Sequence, residues 1–206
     1  MNLKLLLKSS SVHFLITKYI SYGITLINAL LIANYLGVFY FGIYGFASLL
    51  LQYLSYTNFG INYSLNVILS TEKEIDTRKV SEYLSVSIFV TTAISVVLIG
   101  LAVFCDLIGI VALFNKYILS DYYYIIIIIA ILQYYNIVFI TLFRIYGKLS
   151  EINFSYLILP IGQLLCIVLF KGEKLLWAIL INLIVTSTLT LLIFLRKVPV
   201  KIKLSF

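Results

Sequence analysis

The side chains that could transfer protons or bind metals are few in this sequence, and they avoid its apolar segments. His13 is the only histidine, and the two cysteines, Cys105 and Cys166, lie in different segments. Every acidic residue falls in a loop or at the border of an apolar segment: Glu72, Glu74, Asp76, Glu82, Asp106, Asp121, Glu151 and Glu173. Because catalysis and metal binding need such groups close together, we predict no enzyme, no catalytic residue, no metal site and no cofactor.

Uncharged polar side chains are more informative, because in one apolar segment they recur at steps of three and four and so share one side of a helix. They are Ser48, Gln52, Ser55, Asn58 or Phe59, Asn62 and Asn66. A row of amides is unfavourable against lipid, so it faces either another helix or a hydrated cavity that receives a polar substrate. Both interpretations stay open. Amides and hydroxyls suit the hydroxyl groups of sugars, because they can donate and accept hydrogen bonds.

Lys18 is the one basic residue well inside an apolar segment. Its long side chain either extends back to the membrane interface, which is the default, or points inward, where the ammonium would suit a phosphate or pyrophosphate. The other polar residues of the apolar segments are predicted to hydrogen-bond helix to helix. They are Asn28, Gln133, Asn136, Gln163 and Asn182.

Six apolar segments carry these residues, and each is long enough to cross a hydrocarbon core of roughly 30 Å as a helix. The predicted spans are 12–33, 44–69, 83–104, 122–143, 154–170 and 175–195. Composition agrees, since 63% of the residues are apolar and the mean hydropathy is +1.11, whereas soluble domains are about 45 to 50% apolar. We predict an all-α integral membrane fold, a bundle of six transmembrane helices forming one domain over residues 1–206.

The basic residues fall in alternate gaps between these segments. If the amino terminus is cytoplasmic, all but three of the fifteen lie on the cytoplasmic side: Lys4, Lys8, Lys18, Lys73, Arg78, Lys79, Arg144, Lys148, Arg196, Lys197, Lys201 and Lys203. The exceptions are Lys116, Lys171 and Lys174. Short loops rich in Lys and Arg stay in the cytoplasm, so both termini are predicted to be cytoplasmic. The net charge of +7 then reflects topology and attraction to anionic membrane lipid, with no nucleic-acid partner.

Two motifs in register suggest a family. Residues 34–44 read Asn-Tyr-Leu-Gly-Val-Phe-Tyr-Phe-Gly-Ile-Tyr, which resembles the Leu-Gly-Pro-x-x-Phe/Tyr-Gly-x-Tyr turn of polysaccharide flippases. Gly37 and Gly42 are predicted to form this turn, because a short hairpin between helices needs positive φ angles or close backbone approach. Residues 57–64, Thr-Asn-Phe-Gly-Ile-Asn-Tyr-Ser, resemble the family's Asp-Phe-Gly-x-Asn segment. The chain thus resembles the amino-terminal half of a Wzx-type O-antigen or capsule flippase, in the multidrug/oligosaccharidyl-lipid/polysaccharide exporter superfamily.

The resemblance implies half of a twelve-helix, MATE-like fold in the bacterial inner membrane. The implied activity is flipping an undecaprenyl-pyrophosphate-linked oligosaccharide between leaflets for surface polysaccharide synthesis, with a second six-helix half or a second copy as partner. Its candidate cavity residues here are Lys18, Gln52, Asn58, Asn62 and Asn66.

The chain also departs from the family pattern. Val38 replaces a common proline, Asn58 a common aspartate, and Leu65-Asn66 a frequent arginine, while residues 143–147 lack the Gln-Gly pair often found there. The alternatives are an inactive truncated half, a drug exporter of the same superfamily, and a glycan polymerase or transferase. The absence of carboxylates within the apolar segments counts against an ion-coupled drug exporter.

Overall fold

The computed structural model of the protein describes residues 10–71, 77–111 and 119–198. The helices within them are α1 (Ser10–Tyr56), α2 (Ile61–Thr71), α3 (Thr77–Leu107), α4 (Tyr123–Ile145), α5 (Leu149–Leu169) and α6 (Gly172–Lys197), and a 3₁₀ turn at Leu119–Tyr122 precedes α4. Five of them, all except the short α2, are long and apolar enough to cross a membrane. This agrees with the predicted all-helical membrane fold.

Helix α1 is divided at Gly37 into two arms, residues 10–36 and 38–56. Gly37 has φ 73° and ψ 163°, a conformation that is almost restricted to glycine because a Cβ atom would clash with the backbone. Gly42 was expected to share the turn, but it lies inside the helical second arm and is not among the residues with positive φ. The turn therefore uses one glycine for its special conformation.

The first arm runs alongside α5 in the same direction. Near its start, the ring of Phe14 lies 6.0 Å from that of Tyr156 in the first half of α5. Further along, Asn28 Nδ2 donates a hydrogen bond of 2.8 Å to the carbonyl of Pro160. At the end of the arm, Tyr35 lies beneath the ammonium of Lys171, just beyond the end of α5.

The second arm runs in the opposite direction, alongside α4 and α6. Tyr40 near its start donates a hydrogen bond of 3.3 Å to Glu173 in the first turn of α6. Near its end, the carbonyl of Leu54 accepts a hydrogen bond from Tyr134, which is midway along α4. Since α4 and α6 run antiparallel to α5, the chain reverses direction at Gly37.

Two clusters of buried apolar side chains hold the bundle together, one near each end. The first lies where α4 ends and α5 begins, and includes Leu65, Leu69, Val80, Leu84, Leu142, Phe143, Ile152 and Phe194. The second lies where α4 and α6 begin, and includes Ile32, Leu36, Ile43, Tyr122, Ile126, Ile129, Ile167 and Leu176. Much of the remaining apolar surface is exposed, as expected for a helix bundle in lipid.

Charged residues differ between these ends. The described side chains at the first end include Lys79, Arg144, Lys148, Arg196 and Lys197 against the two acids Glu82 and Glu151, so we call it the basic end. The opposite end carries Lys171 and Lys174 together with Asp106, Asp121 and Glu173. Of the other predicted loop charges, Lys4, Lys8, Lys73, Lys116, Lys201, Lys203, Glu72, Glu74 and Asp76 lie outside the described residues.

Candidate functional site

The predicted span 44–69 is not one continuous helix. It is interrupted at residues 57–60, between the second arm of α1 and α2, where Phe59 has φ 48° and Gly60 has φ 71°. Phe59 is the non-glycine residue with positive φ in the described chain, a conformation uncommon for side chains of its size. We call residues 57–60 the helix break.

Tyr134 anchors the helix break from α4. Its side chain is buried, and its hydroxyl donates a hydrogen bond of 2.5 Å to the carbonyl of Leu54 and lies 2.6 Å from Oγ1 of Thr57. In a continuous helix that carbonyl would accept from the backbone four residues later. Here it also accepts from the backbone N–H of Thr57, so the break leaves this acceptor satisfied. The single hydroxyl hydrogen of Thr57 can go either to this carbonyl, at 2.8 Å, or to the hydroxyl oxygen of Tyr134.

The helix break lies at the middle of the bundle and reaches its surface. Tyr134 is midway along α4, which fixes the depth of the break. Phe59 is 83% exposed and Gly60 is also exposed. Irregular backbone at membrane depth is found where it is buried in protein or lines a water-filled cavity, and does not face lipid.

The amides around the break do not form the single stripe that was predicted. Ser48 and Gln52 are exposed, whereas Asn58 is buried, with 5% exposure. Asn62 and Asn66 on α2 are half-buried. The prediction assumed one continuous helix. In the structure α1 ends at Tyr56, so Asn58 already lies outside the helix, and the positive φ angles at Phe59 and Gly60 redirect the side chains that follow.

Two of these amides have unsatisfied acceptors. The side-chain oxygens of Asn58 and Asn62 are buried and find no hydrogen-bond partner among the described residues. A buried amide oxygen without a partner is unfavourable by about 1 to 3 kcal/mol, so native sites usually supply water or a ligand. The side-chain oxygens of Asn28, Asn136 and Asn153 are in the same state elsewhere in the bundle, so what sets the helix break apart is that two such acceptors lie beside exposed irregular backbone.

Lys18 lies in a different environment from the other four predicted cavity residues. Its side chain is half-buried, and its ammonium lies 5.7 Å from the ring centre of Tyr22 and 5.9 Å from that of Tyr156. Both rings stabilise the charge through cation–π interactions. Lys18 is thus held between the first arm of α1 and α5. Asn58, in contrast, lies within the helix break, and Gln52, Asn62 and Asn66 lie on either side of it.

The prediction that scattered amides join helices is confirmed at three positions. Asn28 Nδ2 donates to Pro160, Asn136 Nδ2 donates to the carbonyl of Ser187 at 3.0 Å, and Asn182 Nδ2 donates to that of Leu159 at 3.3 Å. Each bond links two different helices. Such bonds stabilise membrane bundles by about 0.6 kcal/mol on average.

A pocket that was not predicted lies between α4, α5 and α6, with a volume of about 250 Å³ and a mainly apolar surface. Its polar lining comprises Gln133, Asn136, Ser155, Tyr156, Thr186, Ser187 and Thr190. The feature of the sequence that could have indicated this pocket is the spacing of four between Asn182, Thr186 and Thr190, which places three polar side chains on one side of α6. The hydroxyls of Thr186 and Thr190 donate to the carbonyls of Asn182 and Thr186. Within the pocket these two hydroxyls can therefore act only as hydrogen-bond acceptors.

By the length and composition of its helices, the protein belongs to the class of multi-pass helical membrane proteins. No family model, no curated protein and no solved structure matches the chain.

Proposed function

We propose that the protein is one half of a membrane transporter and that its chain crosses the bilayer six times. The support comes from the two arms of α1, which run in opposite directions on either side of Gly37. The second arm and α2 together then make one crossing, interrupted at the helix break. Helices α3, α4, α5 and α6 make the remaining four crossings.

In this proposal both termini are cytoplasmic and the basic end faces the cytoplasm. Most of the described lysines and arginines lie at that end, and Lys171 and Lys174 are the described exceptions. Lysine and arginine in short loops are retained on the cytoplasmic side. The membrane is then the bacterial inner membrane, as the sequence resemblance implies.

The proposed substrate is a lipid-linked oligosaccharide, an undecaprenyl-pyrophosphate glycan, which the protein moves from the cytoplasmic to the outer leaflet. The observation that carries this proposal is the helix break, because exposed irregular backbone at mid-membrane depth calls for a hydrated cavity or covering protein. Broken helices line the substrate sites of many transporters. The amides beside the break suit sugar hydroxyls, and no bond needs to be made or broken.

In the proposed mechanism the glycan passes through a hydrated cavity between this half and a second six-helix half or a second copy of the chain, while the lipid tail stays in the bilayer. Gln52, Asn58, Asn62 and Asn66 offer hydrogen bonds that replace those lost when the glycan leaves bulk water. Lys18, near the cytoplasmic end of the first arm, offers a positive charge to the pyrophosphate as it enters. Translocation then follows from alternate exposure of the cavity to the two sides.

Complementation tests this proposal. The chain would be expressed in a strain that lacks its polysaccharide flippase, and surface glycan would be probed with a lectin. We expect restored glycan, and its loss when Lys18, Gln52, Asn58, Asn62 and Asn66 are replaced with alanine. A matched control replaces Asn34, an exposed amide near the opposite end, and should export normally.

Immunoblotting of membranes separates loss of transport from loss of protein. Unchanged export by the five-alanine variant would refute the assigned cavity. A stably inserted chain that never restores glycan, alone or with a second six-helix half, would instead identify the alternative of an inactive truncated flippase.

A further inference from the structure

A separate feature of the bundle is an apolar groove of about 560 Å³ between α5 and α6, near the opposite end. Its lining residues are Cys166, Phe170, Lys174, Trp177, Ala178, Ile181, Asn182 and Val185. Six of the eight belong to one side of α6, because they follow steps of three and four. The groove contains none of the residues of the proposed transport site.

The length of the groove matches one leaflet of a bilayer. From Lys174 in the first turn of α6 to Val185 is eleven residues, or about 16 Å of helix. Half of a hydrocarbon core is about 15 Å. The groove therefore extends from the membrane boundary to near the middle of the bundle.

The polar atoms in the groove are turned toward the protein. The Asn182 side chain donates to the carbonyl of Leu159, and the thiol of Cys166 donates to the carbonyl of Ala178 at 3.5 Å. What remains accessible along the groove is apolar, which suits an alkyl chain and offers little to a sugar or an ion.

One positive charge lies at the mouth of the groove. Lys174 is exposed and is the charged residue among the described lining residues. The neighbouring carboxylate of Glu173 is absent from the lining and accepts a hydrogen bond from Tyr40 on the second arm of α1. Trp177, one turn further along, is typical of the aromatic residues that mark a membrane interface.

We propose that this groove binds one acyl chain of an anionic membrane phospholipid, with the lipid phosphate at Lys174. An apolar channel of one leaflet's depth with a lysine at its mouth is complementary to a molecule with a long alkyl chain and a negative headgroup. This site is independent of glycan translocation, since it lies on α5 and α6, away from the helix break.

Trp177 provides the measurement, because it is the only tryptophan of the chain. The protein would be reconstituted in phosphatidylcholine vesicles, and brominated phosphatidylglycerol or brominated phosphatidylcholine would be titrated in. Bromine quenches tryptophan fluorescence on contact. We expect quenching by phosphatidylglycerol at about fivefold lower mole fraction than by phosphatidylcholine, the order of preference that one lysine gives at an anionic surface.

Two variants and one control complete the test. Lys174→Gln should remove the preference for phosphatidylglycerol, and Ala178→Phe should reduce quenching by both lipids because the ring fills the groove. Lys171→Gln is the control, since Lys171 lies over the ring of Tyr35 and is not among the groove-lining residues; it should keep the preference.

Equal quenching by both lipids in the unmodified protein would overturn the proposal. So would a preference that survives Lys174→Gln. Weak quenching by both lipids, with cross-linked dimers through Cys166, would show that a second copy of the chain occupies the groove instead.

Discussion

Replacing Tyr134 with phenylalanine removes the anchor of the helix break while keeping the buried ring. The hydroxyl bonds to the carbonyl of Leu54 and contacts Thr57, and hydrogen bonds within membrane bundles stabilise by about 0.6 kcal/mol on average and about 1.7 kcal/mol at most. Leu54 keeps its bond from the backbone N–H of Thr57, so no carbonyl is left without a partner. We expect Tyr134→Phe to lower the free energy of unfolding by about 1 kcal/mol.

Steric trapping in bicelles, with biotin tags at residues 10 and 198, would measure this change. The matched control is the neighbouring Tyr135→Phe, whose hydroxyl makes one bond of 2.9 Å to Thr92 in an exposed position and should lose about half as much or less. A double-mutant cycle with Thr57→Val isolates the contact between the two hydroxyls, and a coupling of at least about 0.5 kcal/mol is expected. Equal losses at Tyr134 and Tyr135, or no coupling, would refute the assignment of Tyr134 as the anchor.

Two glycine substitutions test close packing and the turn by the same measurement. Gly162→Ala should destabilise the protein by about 1 kcal/mol, because a Cβ there would lie 2.2 Å from the amide oxygen of Asn182 and would break the interhelical hydrogen bond of Asn182. The control is Gly23→Ala, which should be neutral or slightly stabilising because no atom lies within 4 Å of the added Cβ. Gly37→Ala should lower the free energy of unfolding by about 1 to 3 kcal/mol, because alanine is strained in the backbone conformation of Gly37. Gly42→Ala, in the helical second arm, is the control and should not have this effect. Similar losses at the two positions would contradict a turn that depends on Gly37 alone.

Much of the fold could be predicted because hydropathy and charge are properties of segments. Predicted spans such as 12–33 and 175–195 correspond to the first arm of α1 and to α6, since about twenty apolar residues must form a helix when no water can satisfy their backbone. The glycine at position 37 predicted a turn, because only glycine adopts that conformation at low cost.

The candidate site was less predictable, because its residues depend on a few backbone angles. Asn58 and Gly60 are residue types that are common in turns. A hydropathy average over about twenty residues does not detect such a short signal. Once the helix breaks there, Gln52 and Asn58 no longer share a side. The pocket residues Thr186 and Thr190 were not predicted for a related reason. Their spacing of four places them on one side of α6, but only the packing of neighbouring helices against that side makes it part of a pocket.

The sequence by itself determined that this is a chain of long apolar helices with its basic residues gathered toward one end, and that few of its groups could perform chemistry. Tertiary structure alone decided which polar groups are satisfied and which are not. Asn28 and Asn136 use their Nδ2 donors to join helices, although their side-chain oxygens, like those of Asn58 and Asn62, are buried without a partner among the described residues. Whether an amide nitrogen joins two helices depends on whether a carbonyl of the neighbouring helix comes within about 3 Å of it, and packing sets that distance.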